Sequence, residues 1–145
     1  MRVKTLFVGA ALAAALLAAA AVQAATSQQI FKGDFDGQPD SLVKVKTGGS
    51  ADNYRVKVFG AHEFTIDCDG TDGIVTRASI KGQIPIGGRG RFHARDDNGD
   101  TVLNVKGEID GRKVSGIFRF SGEIDDQDGH PQDCDSGRLE WSART

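Results

Sequence analysis

Apolar and polar residues alternate in short runs along most of this chain, and the runs recur about every ten positions between clusters of Gly, Asp and Asn. A period of two is that of a strand with one buried and one wet face. Phe31, Gly33 and Phe35 alternate in the first run, Val43 and Val45 with Lys44 and Lys46 in the second, and Tyr54, Val56 and Val58 with Arg55 and Lys57 in the third. Phe64, Ile66 and Cys68 follow, then a longer run with Ile74, Ala78, Ile80 and Ile84, then Phe92 and Ala94 between Arg91, His93 and Arg95. Leu103, Val105, Gly107 and Ile109 precede Val114, Gly116, Phe118 and Phe120, and the last run sets Leu139, Trp141 and Ala143 against Arg138, Glu140 and Arg144. About nine strands are expected from this count.

Turn chemistry sits between the runs, at Asp36-Gly37, Gly48-Gly49, Asp69-Gly70, Gly87-Gly88, Asn98-Gly99 and Asp110-Gly111. Such pairs tolerate the positive φ of tight hairpins, so sequential antiparallel pairing is expected. The expected fold is all-β, a single antiparallel meander of about 8–9 strands closed as a small β-barrel, since closure removes exposed edges. A two-sheet β-sandwich is the alternative. Glycines on the inward side, such as Gly33, Gly107, Gly116 and Gly122, would let the strands coil tightly. The one long stretch without alternation, Asp125 to Ser136, is expected to be an irregular loop.

The first 24 residues break the rhythm. Arg2 and Lys4 precede an uncharged Ala/Leu-rich run from Leu6 to Val22, and Val22-Gln23-Ala24 has the small-x-small form of a cleavage site. Residues 1–24 are expected to be a cleaved secretory signal peptide and residues 25–145 a single domain. Of 18 basic and 20 acidic side chains, Arg2 and Lys4 leave with the leader, so the exported chain has a net charge of −4. A mildly acidic chain is not expected to bind nucleic acid. No later segment is long and apolar enough to span a bilayer, and a monomer is expected.

Two cysteines, Cys68 and Cys134, in an oxidising compartment point to one disulfide. Their spacing is far from the C-x-x-C form of a redox pair. The segment Cys134-Asp135-Ser136-Gly137-Arg138-Leu139-Glu140-Trp141 resembles the ending of small uncharacterised secreted bacterial all-β proteins that finish in Cys-x-Ser-Gly-x-x-x-Trp. That resemblance implies export to a bacterial periplasm or beyond and an all-β fold, with no activity to carry over.

Candidate chemistry is sparse. Asp96, Asn98 and Asp100 have the alternate-oxygen spacing that opens many calcium loops, but Thr101 and Gly107 stand where an EF-hand needs Gly and Glu. Asp125, Asp126, Asp128, Asp133 and Asp135 form a second acidic cluster beside Cys134. No cofactor is required, and calcium is the cation either cluster would take. Lys44, Lys46, Arg55, Lys57, Arg77, Arg89, Arg91, His93 and Arg95 face outward if the alternation holds, a potential belt for an anionic partner, with Glu63, Asp67, Glu108, Glu123 and Glu140 outward beside them. His62, His93 and His130 are the available general bases, and no nucleophile elbow or H-E-x-x-H spacing accompanies them. Trp141 and the inward phenylalanines read as core, with a ligand-holding lumen as their functional alternative. The expectation is therefore a non-catalytic binding or envelope-associated module. A secreted inhibitor or interaction module acting through residues 125–136 comes next, and a hydrolase with an unrecognised site third.

Overall fold

The computed structural model describes residues 28–145 apart from Thr76, and the leader expected over residues 1–24 lies outside them. Eleven strands follow: β1 (Gln29–Phe35), β2 (Gln38–Gly48), β3 (Arg55–His62), β4 (Phe64–Cys68), β5 (Thr71–Val75), β6 (Ala78–Pro85), β7 (Arg91–Asp97), β8 (Thr101–Asp110), β9 (Lys113–Asp125), β10 (Pro131–Asp135) and β11 (Leu139–Arg144). Short 3-10 turns at Ala51–Asn53 and Gly88–Gly90 are the other regular elements. Asp36-Gly37 and Asp69-Gly70 act as two-residue turns as expected, while the turn expected at Asp110-Gly111 falls one residue later. Phe35 faces Gln38 across Asp36-Gly37, Cys68 faces Thr71 across Asp69-Gly70, and Asp110 faces Lys113 across Gly111-Arg112.

All eleven strands belong to one antiparallel sheet, so a two-sheet sandwich does not form. Its order is β5-β4-β10-β9-β11-β1-β2-β3-β6, with β8 and then β7 on the other edge of β9. This is more than a meander, because β4 pairs with β10, β9 and β1 with β11, and β3 with β6. β9 carries two partners in series along one edge: β11 along Lys113–Phe118, then β10 along Ser121–Asp125.

The expected barrel closure does not occur. β6 and β7 are edges, joined near their ends by a bond from the Gly87 N–H to the Arg91 carbonyl at 2.7 Å. β6 ends at Pro85, which has no N–H for a ladder, and the chain folds through the Gly88–Gly90 turn instead of continuing to pair. Segment 125–136 also departs from expectation, since it contains β10. Cys134 faces Cys68 directly, with the two Cα atoms 4.1 Å apart, and the bridge joins β10 to β4.

The curled sheet buries the residues that the alternation points inward. Phe31, Phe35, Phe59, Phe64 and Phe118 are fully buried and Trp141 nearly so. Phe118 lies at the centre, its ring 5.6 Å from Phe35, 5.4 Å from Phe59 and 5.1 Å from Phe64. These aromatics fill the interior as a packed core. Glycines set the curvature. A Cβ on Gly33 would stand 1.8 Å from the Ser142 carbonyl oxygen, and one on Gly116 would stand 2.0 Å from that of Lys106. No side chain fits at such approaches, so these positions allow the sheet to bend over the aromatics.

Candidate functional site

The alternation that buries Phe31 and Phe35 on β1 turns Ile30, Lys32 and Asp34 outward, and burial of Val43 and Val45 on β2 does the same for Leu42, Lys44 and Lys46. Register then aligns cations from four neighbouring strands. Lys113 on β9 faces Arg144 on β11, Arg144 faces Lys32 on β1, and Lys32 faces Lys44 on β2. Three strand spacings make this row about 14 Å long. In the adjacent row Ile30 faces Lys46, Lys46 faces Val58 on β3, and Val58 faces Lys81 on β6.

Like charges directly opposite one another destabilise a sheet. Even so, none of these six cations has an ion-pair partner among the described residues. Asp110 borders the row beyond Lys113, and Asp34 follows Lys32 on the same face of β1, neither of them close enough to pair. Within the belt expected from sequence, β7 is locally neutralised. Arg91 pairs with Glu108 at 3.0 Å and Arg95 with Asp97 at 2.9 Å. Arg55 and Lys57 hydrogen-bond the side-chain amides of Asn53 and Gln83. Lys44 and Lys46 belong to the unpaired face. The belt expected from sequence leaves out Lys32, Lys113 and Arg144; alternation turns Arg144 outward, but the pairing of distant strands that aligns the three is not visible in it.

Carboxylates gather toward the other end of β9. Asp67 faces both Asp72 and Asp135, and Asp133 faces Glu123. Burial works to raise the Asp135 carboxyl, but the hydrogen bonds from Arg119, at 2.7 Å, and from the Gly137 N–H, together with the charge of Arg119, hold it below the usual range. Of the expected calcium residues, Asn98 is committed to its own turn, its amide oxygen accepting the N–H groups of Asp100 and Thr101 and the Thr101 hydroxyl. Asp96 and Asp100 are exposed. In the second cluster the structure brings Asp126 and Asp128 together with His130, their ligand atoms within 4.8 Å of one another. The structure does not place Asp125, Asp133 or Asp135 in that group.

Asp126 already has a structural task. One carboxylate oxygen accepts the N–H groups of Asp128 at 2.8 Å and His130 at 2.9 Å, and the other accepts from the Gln132 amide at 3.2 Å. The bond from the His130 N–H, reinforced by those from Asp128 and Gln132, lowers its pKa against the opposing effect of burial. A depressed folded pKa means stabilisation that is present above the ordinary carboxylate value and lost as pH falls through the folded one. Amide-exchange protection at Asp128 and His130 is therefore expected to fall between about pH 5 and about pH 3. In Asp126→Ala it is expected to be low at both, and unchanged protection in the parent protein at about pH 3 would remove Asp126 as the loop's organiser.

The histidines lie apart. His93 hydrogen-bonds Asn104 at 3.1 Å, His130 lies 3.6 Å from Asp126, and His62 faces Leu42. Glu63 sits at a left-handed kink between β3 and β4 with φ 53°, and no ion pair joins it to His62. A shallow trough of about 590 Å³ is lined by Arg91, His93, Lys106 and Glu108, and of these Arg91 and Glu108 are committed to each other. No family model, curated protein or solved structure matches this chain. Among the described residues no helix is long and apolar enough to cross a membrane.

Proposed function

We propose that this protein is an exported, non-catalytic binding module that recognises polyanions through the outer face of β9, β11, β1 and β2. The observation that supports this reading is the row Lys113, Arg144, Lys32 and Lys44, four cations in direct register that make no ion pair among the described residues, although Asp110 of β8 faces Lys113 at the end of the row. A sheet that keeps like charges opposite one another gives up stability there, and an anionic ligand restores it. Export is supported by the Cys68–Cys134 bridge, since disulfides persist in oxidising compartments. The partner is a polymer or surface carrying phosphate, sulfate or carboxylate groups, and no cofactor takes part.

Chromatography on immobilised dextran sulfate tests the reading. Despite its net negative charge, the exported protein is expected to be retained at about 50 mM salt and released as salt rises. Lys32→Glu/Lys44→Glu should abolish retention, while the same charge change at Lys106 and Arg138, both off the row, should leave most of it. Equal loss in the two double variants would reduce the effect to net charge and defeat the reading.

A further inference from the structure

Resting on that reading, we propose that the polyanion met by this face is the headgroup surface of an anionic lipid bilayer. Three large apolar side chains are exposed among the described residues: Ile30 at 42%, Leu42 at 41% and Ile74 at 68%. Two of them border the cationic row. Ile30 stands two residues before Lys32 on the outer side of β1, and Leu42 stands two residues before Lys44 on that of β2. Because β1 and β2 run antiparallel, Ile30 and Leu42 lie on opposite flanks of the facing pair Lys32–Lys44.

A soluble polyanion has no use for apolar groups at this spacing, whereas a bilayer offers phosphates with hydrocarbon immediately beneath. Lysine stems lie along apolar surface while their ammonium groups reach outward, which suits Lys32, Lys44 and Lys46 to headgroup phosphates as Ile30 and Leu42 enter the boundary. Half-buried Val58, facing Lys46, extends the apolar margin toward β3. The carboxylates at the far end of β9 are held away, since Glu123 is ten residues from Lys113 along one strand, or about 33 Å. Two aliphatic side chains are a small anchor. Binding is consequently reversible and salt-dependent, needing both charge and apolar contact.

Cosedimentation of the exported protein with vesicles tests this, using phosphatidylcholine alone and with about one third phosphatidylglycerol. Binding to the anionic vesicles only is expected. Each cation near such a surface is worth about five-fold in partitioning, so Lys32→Glu/Lys44→Glu should lower it by more than about 25-fold. Ile30→Ser/Leu42→Ser should lower vesicle partitioning by about ten-fold while leaving dextran sulfate retention unchanged, both measured below the variant's melting transition. If that variant partitions like the parent, or the parent ignores anionic vesicles but binds dextran sulfate, the membrane proposal falls and the polyanion reading stands. Failure of the parent on both probes would overturn both.

Discussion

Alanine at Gly33 is expected to remove a large share of this protein's stability. The added Cβ would sit 1.8 Å from the Ser142 carbonyl oxygen and 2.6 Å from the Ala143 Cα, and both obstacles are backbone, so no rotamer change relieves the overlap. β1 must separate from β11 along the Lys32–Arg144 to Phe35–Trp141 ladder, which lies over the aromatic core. Overpacking that moves a whole strand belongs at the severe end of single substitutions, about 4 kcal/mol or more. Domains of this size hold about 5–15 kcal/mol in total. Urea unfolding of Gly33→Ala should therefore show a midpoint lowered by about a quarter or more. Alanine at Gly37, where a Cβ meets nothing within 4 Å but φ is +77°, should cost only about 1 kcal/mol. A Gly33→Ala protein as stable as Gly37→Ala would show that β1 and β11 do not depend on the close approach.

The second large effect belongs to the disulfide. Cys68 and Cys134 are 66 positions apart, and closing a loop of that length removes about 4 kcal/mol of chain entropy from the unfolded state. The bridge also lies on the ladder that joins β10 to β4, where only Cys134–Cys68 and Asp135–Asp67 are in register. With so short a ladder, and with Asp135 facing Asp67 across it, backbone pairing holds β4 and β5 only weakly, and the packing of Phe64 on Phe118 and Phe120 is what the bridge works beside. Cys68→Ala/Cys134→Ala should lose about 4 kcal/mol, a fall in melting temperature of about 10–20 °C. A reductant should produce the same fall in the parent protein and none in the variant. A loss below about 1 kcal/mol would mean that the rest of the sheet positions β4 without the bridge.

Alternation alone made most strands legible, because a half-buried strand writes its two faces into the sequence. It also placed Phe118 and Trp141 in the core and Lys44 and Lys46 on the surface. What it could not supply was pairing between strands far apart in the chain. β10 was hidden because its five residues, PQDCD, contain one apolar position, and what sets it in the sheet is its partners on β9 and β4. The open seam was hidden for a related reason: edge removal argues for closure in general, and Pro85 with the turn after it decides otherwise here. The cationic face shows the same limit. Arg144 reads as one outward residue among several, and Lys32 and Lys113 stand out not at all, until β11 is placed between β1 and β9.

An unclosed sheet also bears on solubility. Strand edges left without partners are templates on which another chain can add, the first step toward fibres. β7 presents Arg91, His93, Arg95 and Asp97 as exposed residues along its seven positions, and β6 ends in Pro85 with Lys81 and Gln83 exposed before it. An incoming strand would have to strip water from those side chains, and it would find no donor at the proline. The charges on β7 thus make that edge of the open seam a poor template for an added strand.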